Sequence, residues 1–192
     1  MKYKIAKIFY SIQGEGRNTG MPAIFIRLAG CNLACPWCDT DFTEKSELDE
    51  DGILLLLRQW PCKRVILTGG EPSVQDLEPL LKTLKSERYY VAIETNGTNS
   101  LLRYKGHGLI DWITVSPKTP EIRVDAVIDE IKVVWPTELS LASISQATAK
   151  YHYIQPCDDE HKAENTKSAI KYILENPKWR LSVQTQKILK LR

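Results

Sequence analysis

The chain has 192 residues, with 26 basic and 24 acidic side chains and a formal net charge of +2. That length is most simply one domain, residues 1–192, large enough to bury roughly 70% of its unfolded surface. The balanced charge argues against direct binding of nucleic acid, no apolar run approaches the ~20 residues that span a bilayer, and Met1–Lys7 lacks the apolar centre of an export signal. A cytoplasmic, reducing compartment without membrane contact is therefore expected.

In chain order, residues 2–9 read as a short strand. Residues 23–29 read as a buried strand ending at Gly30 and a cysteine-rich loop. Residues 47–60 read as a helix, with Leu54 to Leu57 too apolar for solvent. Residues 64–68 form a strand broken by Gly69 and Gly70, and 76–87 a helix. Strands follow at 89–95, 111–116, 130–135 and 151–155, each punctuated by Gly or Pro; a helix near 160–175 and an extended tail at 180–184 complete the pattern. Alternating strands and helices predict an α/β fold with a mainly parallel sheet. Eight full β/α units take about 250 residues, so an open, partial (β/α) barrel of about six parallel strands, with short extensions at either end, is expected.

Three cysteines, Cys31, Cys35 and Cys38, lie within eight residues. Three thiolates on one loop can hold three irons of a [4Fe–4S] cube, leaving the fourth iron open for chemistry. A structural zinc site normally uses two pairs of ligands, and Cys62 and Cys157 form no such second pair. Polar residues gather where predicted strands end: Thr68 to Glu71, Glu94 to Asn96, Ser116-Pro117-Lys118, and Gln155-Pro156-Cys157-Asp158. Ligands bind at that edge of parallel α/β sheets. Each of these segments is by itself also compatible with a solvated turn, and Trp37 with a core position. Cys157 is not expected to ligate iron, and Cys62 sits in a helix-to-strand connection. Asp39, Thr40 and Asp41 offer hard oxygen ligands suited to Mg²⁺, or an N-cap. In Ile12-Gln13-Gly14-Glu15-Gly16, glycines flank two polar side chains whose oxygens suit the N–H donors of a pyrimidinone edge. Arg27, inside an apolar strand, needs an anion: a substrate carboxylate or an internal partner.

The three-then-two cysteine spacing resembles the radical S-adenosylmethionine (SAM) superfamily. Ser11-Ile-Gln-Gly-Glu-Gly16, Cys38-Asp-Thr40, Leu67-Thr-Gly-Gly-Glu-Pro72, Glu94-Thr-Asn-Gly97, Ser116-Pro-Lys118 and Leu181-Ser-Val-Gln-Thr185, taken in order, resemble the 7-carboxy-7-deazaguanine synthase family. The cysteines and Gly-Gly-Glu carry only the superfamily; Gln-Gly-Glu-Gly joined to Cys-Asp-Thr carries the narrower likeness. The resemblance implies a [4Fe–4S] cluster on Cys31, Cys35 and Cys38, with SAM on its open iron. It implies conversion of 6-carboxy-tetrahydropterin to 7-carboxy-7-deazaguanine with release of ammonia, in queuosine and 7-deazapurine biosynthesis. Trp37 to Asp39, Gly70, Ser116 to Lys118 and Gln155 to Asp158 would contact SAM, with Glu71 and Glu94 as helpers. Ile12 to Glu15, Arg27, Thr68 and the terminal carboxylate of Arg192 would hold the pterin. Thr40 would ligate Mg²⁺. Gln186 stands where relatives often carry a substrate-facing histidine, and it cannot become cationic. A flavodoxin or ferredoxin donor and a homodimer are further implications. The competing readings are a glycyl-radical activase, which shares the cysteines and Gly-Gly-Glu, and a non-catalytic metal-binding module.

Overall fold

The computed structural model describes residues 1–120, 122, 128–144 and 149–191. It opens with an antiparallel pair, β1 (Tyr3–Ile12) and β2 (Pro22–Leu28), in which Ser11 lies opposite Ala23. The connection is held by reciprocal bonds between Gln13, Gly20 and Met21, with a single 3-10 turn at Gly16–Asn18. β3 (Ser46–Leu48) adds antiparallel to the outer edge of β1. From there strand and helix alternate: α1 (Glu50–Leu57), β4 (Arg64–Gly69), α2 (Glu78–Ser86), β5 (Tyr90–Thr95), α3 (Leu102–Gly106), β6 (Trp112–Val115) and β7 (Ile128–Trp135). The order continues with α4 (Leu141–Ile144), β8 (Ala149–Pro156), α5 (Lys162–Glu175), β9 (Arg180–Leu181) and α6 (Thr185–Ile188).

All nine strands form one sheet, ordered β3-β1-β2-β4-β5-β6-β7-β8-β9, and the seven from β2 to β9 run parallel. β3 and β9 are separate edges, so the sheet is an open α/β barrel rather than a closed one. About six parallel strands were expected; the seventh is the two-residue β9, inside the expected extended tail. The helix expected over 47–60 starts later. Ser46–Leu48 pairs with β1, and Asp49 then caps α1 by accepting from the Gly52 N–H at 2.9 Å. Capping by a carboxylate fixes a helix start more firmly than apolar content does.

Period-two alternation divides the two faces of the sheet. Ile24, Ile26, Val65, Leu67, Val91, Ile93, Ile113, Ile131 and Val133 form the main core with the helices. Helix α2 buries Leu80, Leu81 and Leu84 completely on that face, each contributing ~1.5–3 kcal/mol. The alternate residues point inward. Phe9 and Phe25 stack at 5.0 Å beside Ile66 and Ala92, forming a small second core. The inner positions nearer the C-terminal strand ends are polar, and there the site lies.

Candidate active site

One inner row crosses the sheet near the C-terminal ends of β2, β4, β5 and β6 and reaches the first half of β7. Arg27 pairs in register with Thr68, Glu94 with Thr114, and Thr114 with Glu130. The Thr68 hydroxyl donates to Glu94 Oε2 at 3.2 Å, which links β4 to β5. These side chains, except Glu130, line a cavity of about 380 Å³, within the range of small-molecule sites, about 300–1,000 Å³.

The cysteine loop forms one rim. Its backbone is pinned where the Glu71 N–H donates to Gly30 O at 3.0 Å. A Cβ on Gly70 would stand 2.2 Å from Gly30 O and 2.7 Å from Cys31 Cβ, so only glycine lets β4 end against this loop. Cys31, Cys35 and Cys38 are free thiols with no disulfide. The Cys38 N–H donates to Cys35 O at 3.1 Å, closing a tight turn between two of them. Among the described residues no three His, Cys, Asp or Glu side chains converge on a single ion. A cube spreads its ligands more widely than one ion does. Three unpaired thiols on a loop backed by a bare glycine fit an iron–sulfur cluster. Beside them Trp37 is 42% exposed at the cavity, with the Lys118 ammonium 4.8 Å from its ring centre. Lys118 donates to Ser116 Oγ at 2.7 Å. Its pKa falls to about 8, through burial first and then the charge of Lys132.

The loop after β1 forms the opposite rim. Gln13 is consumed internally: its Nε2 donates to Glu94 at 2.9 Å and its Oε1 accepts from the Glu15 N–H at 3.1 Å. Glu15 pairs with the buried Lys132 and accepts from Gln186 Nε2 at 2.8 Å and Gln184 Nε2 at 3.2 Å. Burial would raise the Glu15 pKa, but the Lys132 charge and these donors overcome it and hold it at about 2. Behind the pair, Glu130 accepts from the Arg17 N–H at 2.8 Å, and burial pushes its carboxyl up to about 7. Arg27 is half-buried and its Nε has no hydrogen-bond partner; its guanidinium lies 5.6 Å from the Phe9 ring centre. The internal ion pair that could have explained Arg27 is absent among the described residues.

Helix α6 lies between the two rims. Lys187 donates to Asp39 Oδ2 at 2.6 Å and to Asp158 Oδ2 at 2.8 Å. Burial would raise the Asp39 pKa, but Lys187 and Gln184 together lower it. The Thr185 N–H donates to Gly14 O at 3.0 Å, and Gln186 Oε1 would stand 1.8 Å from a Cβ on Gly14. At β8, Gln155 Oε1 accepts from Ser182 Oγ, which in turn accepts from the Gly16 N–H. Asn165 of α5 donates to Cys157 O at 3.3 Å, fixing the segment after β8.

Most expected site residues therefore meet. Ile12, Gly14, Trp37, Cys38, Thr40, Gly70, Ser116, Lys118, Pro156, Cys157, Asp158 and Gln186 all face the one cavity with the residues above. Cys31, Cys35 and Pro117 do not themselves line the cavity. One expectation changes. Glu71 is completely buried and spent on the fold: it accepts from Ser73 N–H and hydroxyl, Thr95 hydroxyl and Asn96 N–H, and does not reach the cavity. Glu94 faces the cavity while bonded to Gln13 and Thr68. The Gln13 amide lines the cavity while one N–H and its carbonyl oxygen order the loop. Arg192 lies outside the described residues. Sequence reading missed Lys132, Gln184 and Lys187. For Lys132 the signal was available: a cation between Ile131 and Val133 asks for an anion as Arg27 does.

The strand-end cavity and three-cysteine loop define a radical SAM protein, and the Radical SAM superfamily model matches residues 25–183. A 7-carboxy-7-deazaguanine synthase from Bacteroides thetaiotaomicron is 40% identical over the full length of both chains. One from Burkholderia multivorans is 38% identical, again over all of each chain. The crystal structure of QueE from Escherichia coli superposes with a TM-score of 0.73 at 28% identity, covering 96% of this chain and 95% of that one. This chain belongs to the 7-carboxy-7-deazaguanine synthase family of radical SAM enzymes. Its cofactors are accordingly a [4Fe–4S] cluster and SAM.

Proposed function

We propose that this chain converts 6-carboxy-tetrahydropterin to 7-carboxy-7-deazaguanine with loss of ammonia, for queuosine and related 7-deazapurines. The observation that carries the reading is that an unpaired guanidinium, Arg27, and an ionised carboxylate, Glu15, face one cavity beside the Cys38 loop. A carboxylated pterin has the complementary groups: an anion at one end and ring N–H donors at the other. Cluster and SAM, when bound, supply the one-electron chemistry that removes hydrogen from carbon. Cys31, Cys35 and Cys38 would hold the cluster. The backbone beside Trp37 and Gly70, and the groups of Ser116, Lys118 and Gln155 to Asp158, would hold SAM.

The rest is done by placement. Arg27 would hold the substrate carboxylate by a charge-assisted pair. Thr40 faces the cavity one residue from Asp39 and would bring Mg²⁺ to that same carboxylate. Glu15, held ionised, would accept from the ring N–H groups. Phe9, Phe25 and Val134 supply apolar wall to the cavity, which would limit water beside a bound substrate. We further propose one domain over residues 1–192, a homodimer, a flavodoxin or ferredoxin donor, and a cytoplasmic location. Among the described residues no helix is long and apolar enough to cross a membrane.

The test is anaerobic reconstitution with iron and sulfide, chemical reduction, and incubation with SAM and 6-carboxy-tetrahydropterin. Ammonia and 7-carboxy-7-deazaguanine should form in equal amounts. A fully loaded enzyme that leaves the pterin untouched would refute the assignment.

A further inference from the structure

Lys132 stands in the middle of β7, with 7% of its side chain exposed. An ammonium carries three N–H donors. Lys132 spends one on Glu15, and among the described residues no other acceptor is bonded to it. The residue nevertheless lines the cavity. A buried ammonium with unspent donors beside a cavity calls for an acceptor, because an unsatisfied buried donor costs free energy.

The kind of acceptor follows from the neighbour. Lys132 and Glu15 present a donor and an acceptor side by side. A lactam edge, a carbonyl oxygen beside a ring N–H, is the complement of that pair. Pterins and guanine-like bases carry such an edge. Arg27 stands on β2 and Lys132 on β7, four strands further along the curved sheet, and both line the one cavity.

We propose that Lys132 is a specificity-determining residue that donates to the C4 carbonyl oxygen of the pyrimidinone ring while Glu15 accepts from the adjacent N–H. This rests on the pterin reading above. The surroundings suit a fixed cation: burial would favour the neutral amine, but Glu15, Glu94 and Glu130 hold the group charged. It acts as a permanent donor, not as an acid that gives up its proton.

The experiment compares two ligands on the reconstituted enzyme with SAM bound: 6-carboxypterin, and its counterpart with an amino group in place of the C4 carbonyl. Binding is followed by calorimetry. The wild-type chain should prefer the carbonyl ligand by at least roughly tenfold, since the amino counterpart sets a donor against Lys132 and has no ring N–H for Glu15. Lys132→Met, which keeps the side chain out to Cε and drops the ammonium, should clearly narrow that preference. The change that SAM makes in the electron paramagnetic resonance spectrum of the reduced cluster should persist in this variant. A Lys132→Met chain that binds both ligands more weakly but keeps the preference overturns the role of Lys132 alone. A wild-type chain with no preference overturns it without any variant. A wild-type chain that binds neither ligand removes the pterin reading and this proposal with it.

Discussion

The ammonium of Lys187 lies 2.6 Å from Asp39 Oδ2, which ties helix α6 to the residue directly after Cys38. The same group reaches Asp158 beyond β8. Both partners are substantially exposed, so the pair stabilises the fold by no more than about 1 kcal/mol. Its weight falls on loop position. Lys187→Met should move the urea midpoint little and weaken SAM binding severalfold. Calorimetry of SAM on the reconstituted enzyme checks this; unchanged affinity would remove the positioning role.

Gly70→Ala should prevent stable cluster assembly. The added Cβ meets backbone, Gly30 O, and the Cys31 Cβ, and neither can swing away as a flexible side-chain end would. We expect a chain that folds but holds much less iron after reconstitution, measured as iron and sulfide per chain.

Glu71 sets a contrasting expectation. Its carboxylate takes four donors in a dry site, and bonds to a buried charge contribute about 1.5–3 kcal/mol each before compensation. Glu71→Gln places an amide N–H₂ against those donors. It should destabilise the chain by about 2–4 kcal/mol in urea unfolding, with or without SAM. A variant as stable as the parent that fails only in SAM binding would restore Glu71 as a ligand.

His152 is buried on the helix side of β8, edge-on to Trp179 at 5.3 Å, with Nε2 unpartnered. Burial, then the charge of Lys178, lowers its pKa in the folded chain. The unfolded chain takes up the proton first. Stability therefore falls as pH drops below the ordinary histidine value, about 6.5, and levels off once the folded imidazole is also protonated. His152→Phe should flatten that part of the stability–pH curve.

Gln186 donates to Glu15 at 2.8 Å and packs on Gly14. It cannot titrate. Gln186→His should keep a contact with Glu15 and add an inflection to the pH dependence of turnover. An unchanged profile would show that this position does not couple to the substrate end.

The sheet was legible because its strands are apolar runs cut by Gly and Pro, and most of the cavity followed from the polar residues at their ends. Ser46–Leu48 was hidden because three residues carry no period; only pairing with β1 makes them a strand. Helix α6, at four residues, is nearly as short, and its ion pair to Asp39 joins positions 148 residues apart. Glu71 was misplaced because a Gly-Gly-Glu segment does not say which way its carboxylate turns. Lys132 was passed over as part of a core strand, although the reasoning applied to Arg27 would have found it.

The sheet is assembled largely from strands that follow one another, but the Glu15 wall joins Gly16 to Ser182 and Glu15 to Gln186, 166 and 171 residues apart. Such distant closures form late and open at lower cost than a sheet interior. The reaction chamber can thus loosen while the platform beneath it stays intact. Amide hydrogens in the first loop and the last helix should exchange well ahead of those in the central strands, making admission of the substrate a local breathing motion rather than an unfolding of the barrel.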